Sequence, residues 1–152
     1  VAHVELSLSE VRVPTVAPPT GQEYDNVTSW SVAVSQADEP CLLLAADTRV
    51  VAVSAAGSQL LFLGDCLNVI GQPLLDGGLR LLDFTANRGE LTEPELDKIP
   101  PLLAITSGRL ARGLLRIKGV SADAPDATVD AISTPVHHAG AVVGSLTFFS
   151  EV

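Results

Sequence analysis

The hydrophobic and polar positions change period several times along the chain, and each change predicts an element. In residues 1–13, Val4, Leu6 and Leu8 alternate with Glu5, Ser7 and Ser9, the period of two that marks a strand. Pro14, Pro18, Pro19 and Gly21 follow as a linker. A Pro-rich arm is seldom ordered by itself, so the 4–13 strand is expected to be pinned against a sheet edge, of this chain or of a second subunit. Val27, Trp30 and Val34 recur at helical spacing behind a cap at Asp25 or Asn26, predicting a helix to about Ala37 that Glu39-Pro40 stops. Cys41 to Ala46 is an apolar strand, Asp47-Thr48-Arg49 a turn, and Val50 to Val53 a second strand. Ser54 then caps a segment of helical spacing that ends before Gly64.

The middle of the chain is cut into short pieces. Asp65 to Ile70 predicts one turn of helix, closed by Gly71 and Pro73. Leu74 to Gly78 is a loop or half-turn, and Leu79, Leu81, Leu82 and Phe84 are apolar enough to be buried. Thr92-Glu93-Pro94-Glu95 has the form of a capping box with Pro early in a short helix. A longer helix is predicted from Pro101 to about Arg112, with Gly113 as its stop. Leu103, Leu110 and Ala111 share a face of it, and Thr106 and Ser107 sit where a hydroxyl bonds the carbonyl four residues back or faces a cavity.

The remainder reads as antiparallel sheet. Leu114 to Val120 alternates, with Leu115 and Ile117 opposite Arg116 and Lys118. Thr128 to His138 is a long strand in which Pro135 marks an edge or a bulge. A hairpin turn at 138–141 leads to a last strand, Val142 to Val152, with Leu146 and Phe148 on one face and Val143, Thr147 and Phe149 on the other. Apolar residues on both faces require both to be covered. The domain's own helices cover one. Residues 1–37 or a partner chain are expected over the other.

Composition narrows the class. A chain of 152 residues, 47% hydrophobic and 18% charged, fits one globular domain with an extension. The net charge of −9 argues against direct nucleic-acid binding, which needs clustered Lys and Arg. One basic cluster stands out: Arg109, Arg112, Arg116 and Lys118 follow one another with no acid between. It suits a helix C-terminus and a solvated strand face, or alternatively a small anionic ligand or an acidic partner. Cys41 and Cys66 make no CxxC motif and no disulfide framework, and read as free thiols in a reducing compartment. The start lacks the features of a signal peptide, and no apolar run approaches the roughly 20 residues that span a bilayer. The expected location is cytoplasmic, with no membrane association. Seven arginines against two lysines hint at a bacterial source.

Catalytic and metal chemistry find little support. His137 and His138 are adjacent, so on a strand they point to opposite faces and do not chelate one metal together. Ser133, His137 and Asp130 assemble a triad on paper, without the GxSxG elbow that exposes a nucleophile. Glu93, Glu95 and Asp97 read as compensation of a helix dipole. The expectation is a non-enzymatic protein with no catalytic and no metal-ligating residues; a small hydrolase or isomerase on a related α+β fold is the alternative.

Three stretches carry a resemblance: DTRVVAVSAAGSQLL at 47–61, IGQPLLD at 70–76, and the closing HHAGAVVGSLTFFSEV at 137–152, with its run of Gly140, Val142, Val143 and Gly144. Together with the element order, they make residues 38–152 resemble a PAS domain, with residues 1–37 as an extension and possible dimerisation element. The resemblance implies an α+β fold: an antiparallel five-stranded sheet with helices on one face, plus the N-terminal strand and helix. It also implies that the 41–46 strand lies between the 50–53 strand and the last one, which separates this fold from GAF-like or profilin-like alternatives. PAS domains are sensor and dimerisation modules that hold a small molecule between the sheet and the longer helix, or hold nothing and bind proteins. On that basis Leu103, Thr106, Leu110, Leu115, Ile117, Ile132, Leu146 and Phe148 are candidates to line a pocket for a small apolar ligand. A flavin-adduct photosensor needs a Cys in the 70–84 stretch and a common haem sensor a His in 93–112; both are missing, so the cofactor is left unknown, without support for haem or a flavin adduct. The implied partners are a second copy and a protein partner or output domain, the latter expected beyond a chain that ends directly after its last strand.

Overall fold

The computed structural model describes residues 26–76 and 78–152. The predicted 4–13 strand and the proline-rich linker lie outside the described residues. Helix α1 spans Asn26–Ser35. Strands β1 (Cys41–Ala45) and β2 (Val50–Val53) follow, then α2 (Ala55–Leu60), α3 (Cys66–Val69) and a 3-10 turn at Leu74–Asp76. Next come β3 (Leu81–Leu82), α4 (Glu93–Leu96), α5 (Pro100–Ser107), β4 (Ala111–Ile117), β5 (Ala127–His138) and β6 (Ala141–Glu151).

Among the described residues six strands form one antiparallel sheet in the order β2-β1-β6-β5-β4-β3. β1 lies between β2 and β6, as the resemblance requires. The sixth strand was not predicted: β3 is two residues long and pairs only through Leu81↔Ile117 and Leu82↔Arg116, too short to show a period. Leu79, Leu81 and Leu82 are buried as expected, but Phe84 is 57% exposed.

Two cores sandwich the sheet. One packs Leu42, Leu44, Leu115, Ile117, Val129 and Phe149 against the helices that connect β2 to β4. The other packs Leu43, Ala52, Val136 and Leu146 against Val27 and Val34 of α1, with Trp30 beside them. Leu42, Leu43 and Leu44 are consecutive and wholly buried, which is why β1 reads as a continuous apolar run: its two faces feed different cores.

The longer helix ends at Ser107, five residues short of its predicted last residue near Arg112. Gly108 takes a left-handed φ of 68° and its N–H donates to the Ala104 carbonyl, closing α5. The nearer glycine terminates the helix, and Gly113 instead lies in β4, where the Pro100 ring leaves only 3.4 Å to the place a Cβ would take. The buried face of α5 is Pro101, Leu102 and Ala104, not the predicted Leu103, Leu110 and Ala111; Leu110 and Ala111 are not helical. Pro135 falls, as expected, where β5 is locally an edge, and it adjoins a bulge. β5 runs on past the start of β4, where Ala111 pairs with Ser133, and Pro135 falls in this overhang, one residue before a register shift at Val136/His137.

Candidate functional site

The period-two pattern of β6 correctly groups its side chains, but the helices cover the opposite group from the one assigned to the pocket. Thr147 and Phe149 face α5, while Leu146 faces α1 and Phe148 faces outward. The space between α5 and the sheet is taken by hydroxyls. Ser133 and Thr147, neighbours across β5 and β6, share a hydrogen bond of 2.6 Å between their side-chain oxygens. Ser145 donates to the Pro101 carbonyl of α5 at 2.8 Å. All three residues are wholly buried, and each hydroxyl satisfied there keeps helix and sheet in close register.

The eight pocket candidates therefore do not line one space. Leu115 and Ile117 are in the helix-facing core. Leu103 and Leu110 are 37% and 65% exposed, because α5 turns a different face inward and stops early. The Thr106 hydroxyl bonds back to the Leu102 carbonyl at 3.4 Å, the backbone option for that residue. Leu146 is buried under α1, and Ile132 and Phe148 lie on that same outer side of the sheet. The triad residues separate too: Ser133 is spent on Thr147, whereas Asp130 lies on the other face and accepts two bonds from the Arg112 guanidinium, at 3.1 and 2.6 Å. Among the described residues no cluster of His, Cys, Asp or Glu is placed to hold a metal ion.

The basic cluster is largely consumed inside the domain. Arg112 pairs with Asp130, and Arg116 donates to the carbonyls of Asp83 and Thr85 and sits 3.4 Å from Asp126. Asp126 also accepts two bonds from Arg88, at 2.7 and 2.8 Å, and one from the Gly119 N–H. The Arg88 bonds foremost, then the Gly119 bond, hold its carboxyl down at about 2, against an ordinary 3.8. The folded value lies below the unfolded one, so Asp126 contributes stability that is fully present above pH 3.8 and is lost as pH falls through about 2. Urea titrations across this window are expected to show a flatter acid limb for Asp126→Asn than for the parent, with the variant less stable at neutral pH.

Two residues that look reactive in isolation are structural. Ser54 caps α2. Burial pushes the Cys41 thiol up, the bond to Ser54 opposing and Glu39 adding to the rise, so Cys41 is an inert thiol.

Among the described residues, half of the outer sheet face is left open. α1 covers the part built on β1, β2 and the hairpin end of β5 and β6. Beyond it, Ile132 and Phe148 are direct cross-strand partners, 38% and 44% exposed, with Leu114 of β4 53% exposed. Val32, on the uncovered side of α1, is 60% exposed. The sequence carries a signal for this surface, since apolar residues stand on both faces of β4, β5 and β6; which face the helices cover is not in the alternation.

An antiparallel sheet with β1 between β2 and β6, short helices and a longer helix connecting β2 to β4, and a closing hairpin of long strands is a PAS-like fold. Among solved structures it is similar to the PAS domain of a protein from Colwellia psychrerythraea, at 13% identity and a TM-score of 0.55 over 84% of this chain and 98% of that one. It is similar also to the PAS domain of an HTR-like protein from Haloarcula marismortui, at 12% identity and a TM-score of 0.51 over 82% and 90%. A third is a PAS domain from a two-component sensor histidine kinase, at 14% identity and a TM-score of 0.51 over 82% and 95%. No family model and no curated protein matches the chain. Among the described residues no helix is long and apolar enough to cross a membrane.

Proposed function

We propose that the chain is a non-enzymatic signalling module that pairs with a second copy through the open half of its outer sheet face, flanked by α1, and passes the paired state to a protein partner or output domain. The observation that carries this reading is the Ile132–Phe148 pair with Leu114 beside it, on a face whose other half the protein itself covers. An aromatic and a β-branched residue paired across strands form a ready apolar patch, and contiguous exposed apolar surface on an otherwise charged domain marks an interaction site. The signalling role rests on the PAS-like fold and on its occurrence in a sensor histidine kinase. We assign no ligand to the helix-facing side, where the Ser133–Thr147 and Ser145–Pro101 bonds occupy the middle of the layer.

The test is the double variant Ile132→Glu/Phe148→Glu. Both side chains are partly exposed, so the fold is retained, which circular dichroism checks. Sedimentation velocity is expected to give a dimer for the parent and a monomer for the variant. A variant that dimerises as tightly as the parent places the interface elsewhere and defeats the reading.

A further inference from the structure

β4 has an open edge. β5 pairs with it from Ala111 to Ile117, whereas β3 meets it only at Arg116 and Ile117. The Lys118 N–H donates to the Arg80 carbonyl on the β3 side, at 2.9 Å. Backbone groups two residues apart on a strand point the same way, so the N–H and C=O groups of Leu114 and Arg112 also point to that side. Among the described residues they face no strand. Such a row is a template for another strand. Beside it lies a cleft of about 310 Å³, with Leu82 and Ile99 buried in its wall and the largely exposed Phe84 and Leu114 also lining it.

The charges around the cleft are spent, with one exception. Asp83 accepts from the Thr85 N–H at 3.0 Å and from its hydroxyl at 2.6 Å. Glu95 accepts from the Thr92 N–H at 2.8 Å and from its hydroxyl at 2.9 Å. Arg116 donates to the Asp83 and Thr85 carbonyls and pairs with Asp126. Lys98, which shares the cleft with Leu82 and Arg116 at the β3 end of the edge, makes no hydrogen bond and no ion pair with a described residue. At the other end, just before β4, the Arg109 guanidinium is equally uncommitted among the described residues.

We propose that this edge and cleft bind an extended segment of a protein partner, added as a strand to β4, with apolar side chains against the cleft wall and carboxylates at Lys98 and Arg109. The backbone row selects an extended chain, and the wall selects apolar side chains. The two uncommitted cations, one at each end, select acids at the ends of the segment in either strand direction. The β4 edge of a second copy is a poor occupant. Two such edges side by side set Arg109 and Arg112 of both chains along one seam, like charge beside like. The edge presents backbone groups, whereas the open face proposed for pairing presents side chains, so strand addition here does not depend on the pairing.

Amide exchange and chemical shifts, followed by NMR on the full chain, test this with two capped peptides. Each is a short run of Val, one with Glu and the other with Lys at both ends. The Glu-ended peptide is expected to slow exchange of the Arg112 and Leu114 amides by at least about tenfold, and the Lys-ended peptide to leave them unchanged. Leu114→Pro deletes an edge N–H that β5 does not use, and is expected to abolish the slowing at Arg112 while the amides of β6 hold their rates and report an intact fold. Lys98→Glu/Arg109→Glu changes two exposed side chains, keeps the test open should the proline variant not fold, and is expected to reverse the preference between the peptides. No slowing by the Glu-ended peptide, or equal slowing by both, overturns the proposal. So do Arg112 and Leu114 amides that already exchange slowly in the free chain, because the edge is then covered by the protein's own residues or by a second copy.

Discussion

Gly144→Ala is expected to destabilise the fold by about 3 kcal/mol or more, beyond the usual cost of an overpacked core site. A Cβ at this position would stand 2.0 Å from the Leu44 carbonyl oxygen and 3.2 Å from the Val27 side chain. Gly144 lies in β6, between Ala45 of β1 and Val136 of β5, and α1 crosses over it. The obstructing atom is backbone in a strand held on both sides, so it has nowhere to move. Gly140→Ala is the informative control. Its Cβ meets open space, but its φ is 82°, and a left-handed residue costs roughly 1–2 kcal/mol. Urea unfolding of the two variants separates obstruction from backbone strain: a Gly144→Ala loss no larger than that of Gly140→Ala would show that β1 and β6 are not packed as described.

Ser54→Ala is expected to cost about 2–3 kcal/mol, the sum of a lost helix cap and buried groups left without partners. The Ser54 hydroxyl accepts from the Gly57 N–H at 3.0 Å and from the Cys41 N–H at 3.0 Å, and donates to the Glu39 carbonyl at 2.7 Å. It is wholly buried, so water cannot replace it. One hydroxyl therefore joins the start of α2, the start of β1 and the segment leaving α1. Gly57 allows this closeness, since a Cβ there would sit 2.9 Å from the Cys41 carbonyl. Ser35→Ala removes an exposed hydroxyl bonded to the Ser31 carbonyl and is expected to change stability by no more than about 0.5 kcal/mol. Equal effects of the two serine changes in thermal unfolding would contradict the role given to Ser54.

The elements whose signals are local were legible. Ser54 before a helical pattern, Thr92 and Glu95 as a capping box, and the two-residue turn between His138 and Ala141 all follow from chemistry within a few residues, and all are present. The sheet order was legible from the resemblance of the closing hairpin and the 47–61 stretch. The ligand-pocket candidates are divided between the two faces for a different reason. Alternation groups Leu146 with Phe148 and Thr147 with Phe149, but it carries no sign of which group meets the helices. Ser133, Ser145 and Thr147 look like solvent-facing residues, yet they are buried because their hydroxyls pair with each other and with the Pro101 carbonyl. Small side chains that satisfy themselves leave α5 close to the sheet, and the larger Ile132 and Phe148 are left outside. Likewise, Arg109 to Lys118 reads as a free basic cluster until the register brings Asp130 beside Arg112 and the 119–126 loop returns Asp126 to Arg116 and Arg88. Those partners lie 10 to 38 residues away in the chain, beyond any local pattern.

We propose that this PAS-like domain works by pairing with itself across its open sheet face. Native mass spectrometry of the full chain tests it most directly, because it reports stoichiometry and bound small molecules together. The mass of two chains with nothing added is expected. The mass of a single chain across the accessible concentrations would contradict it.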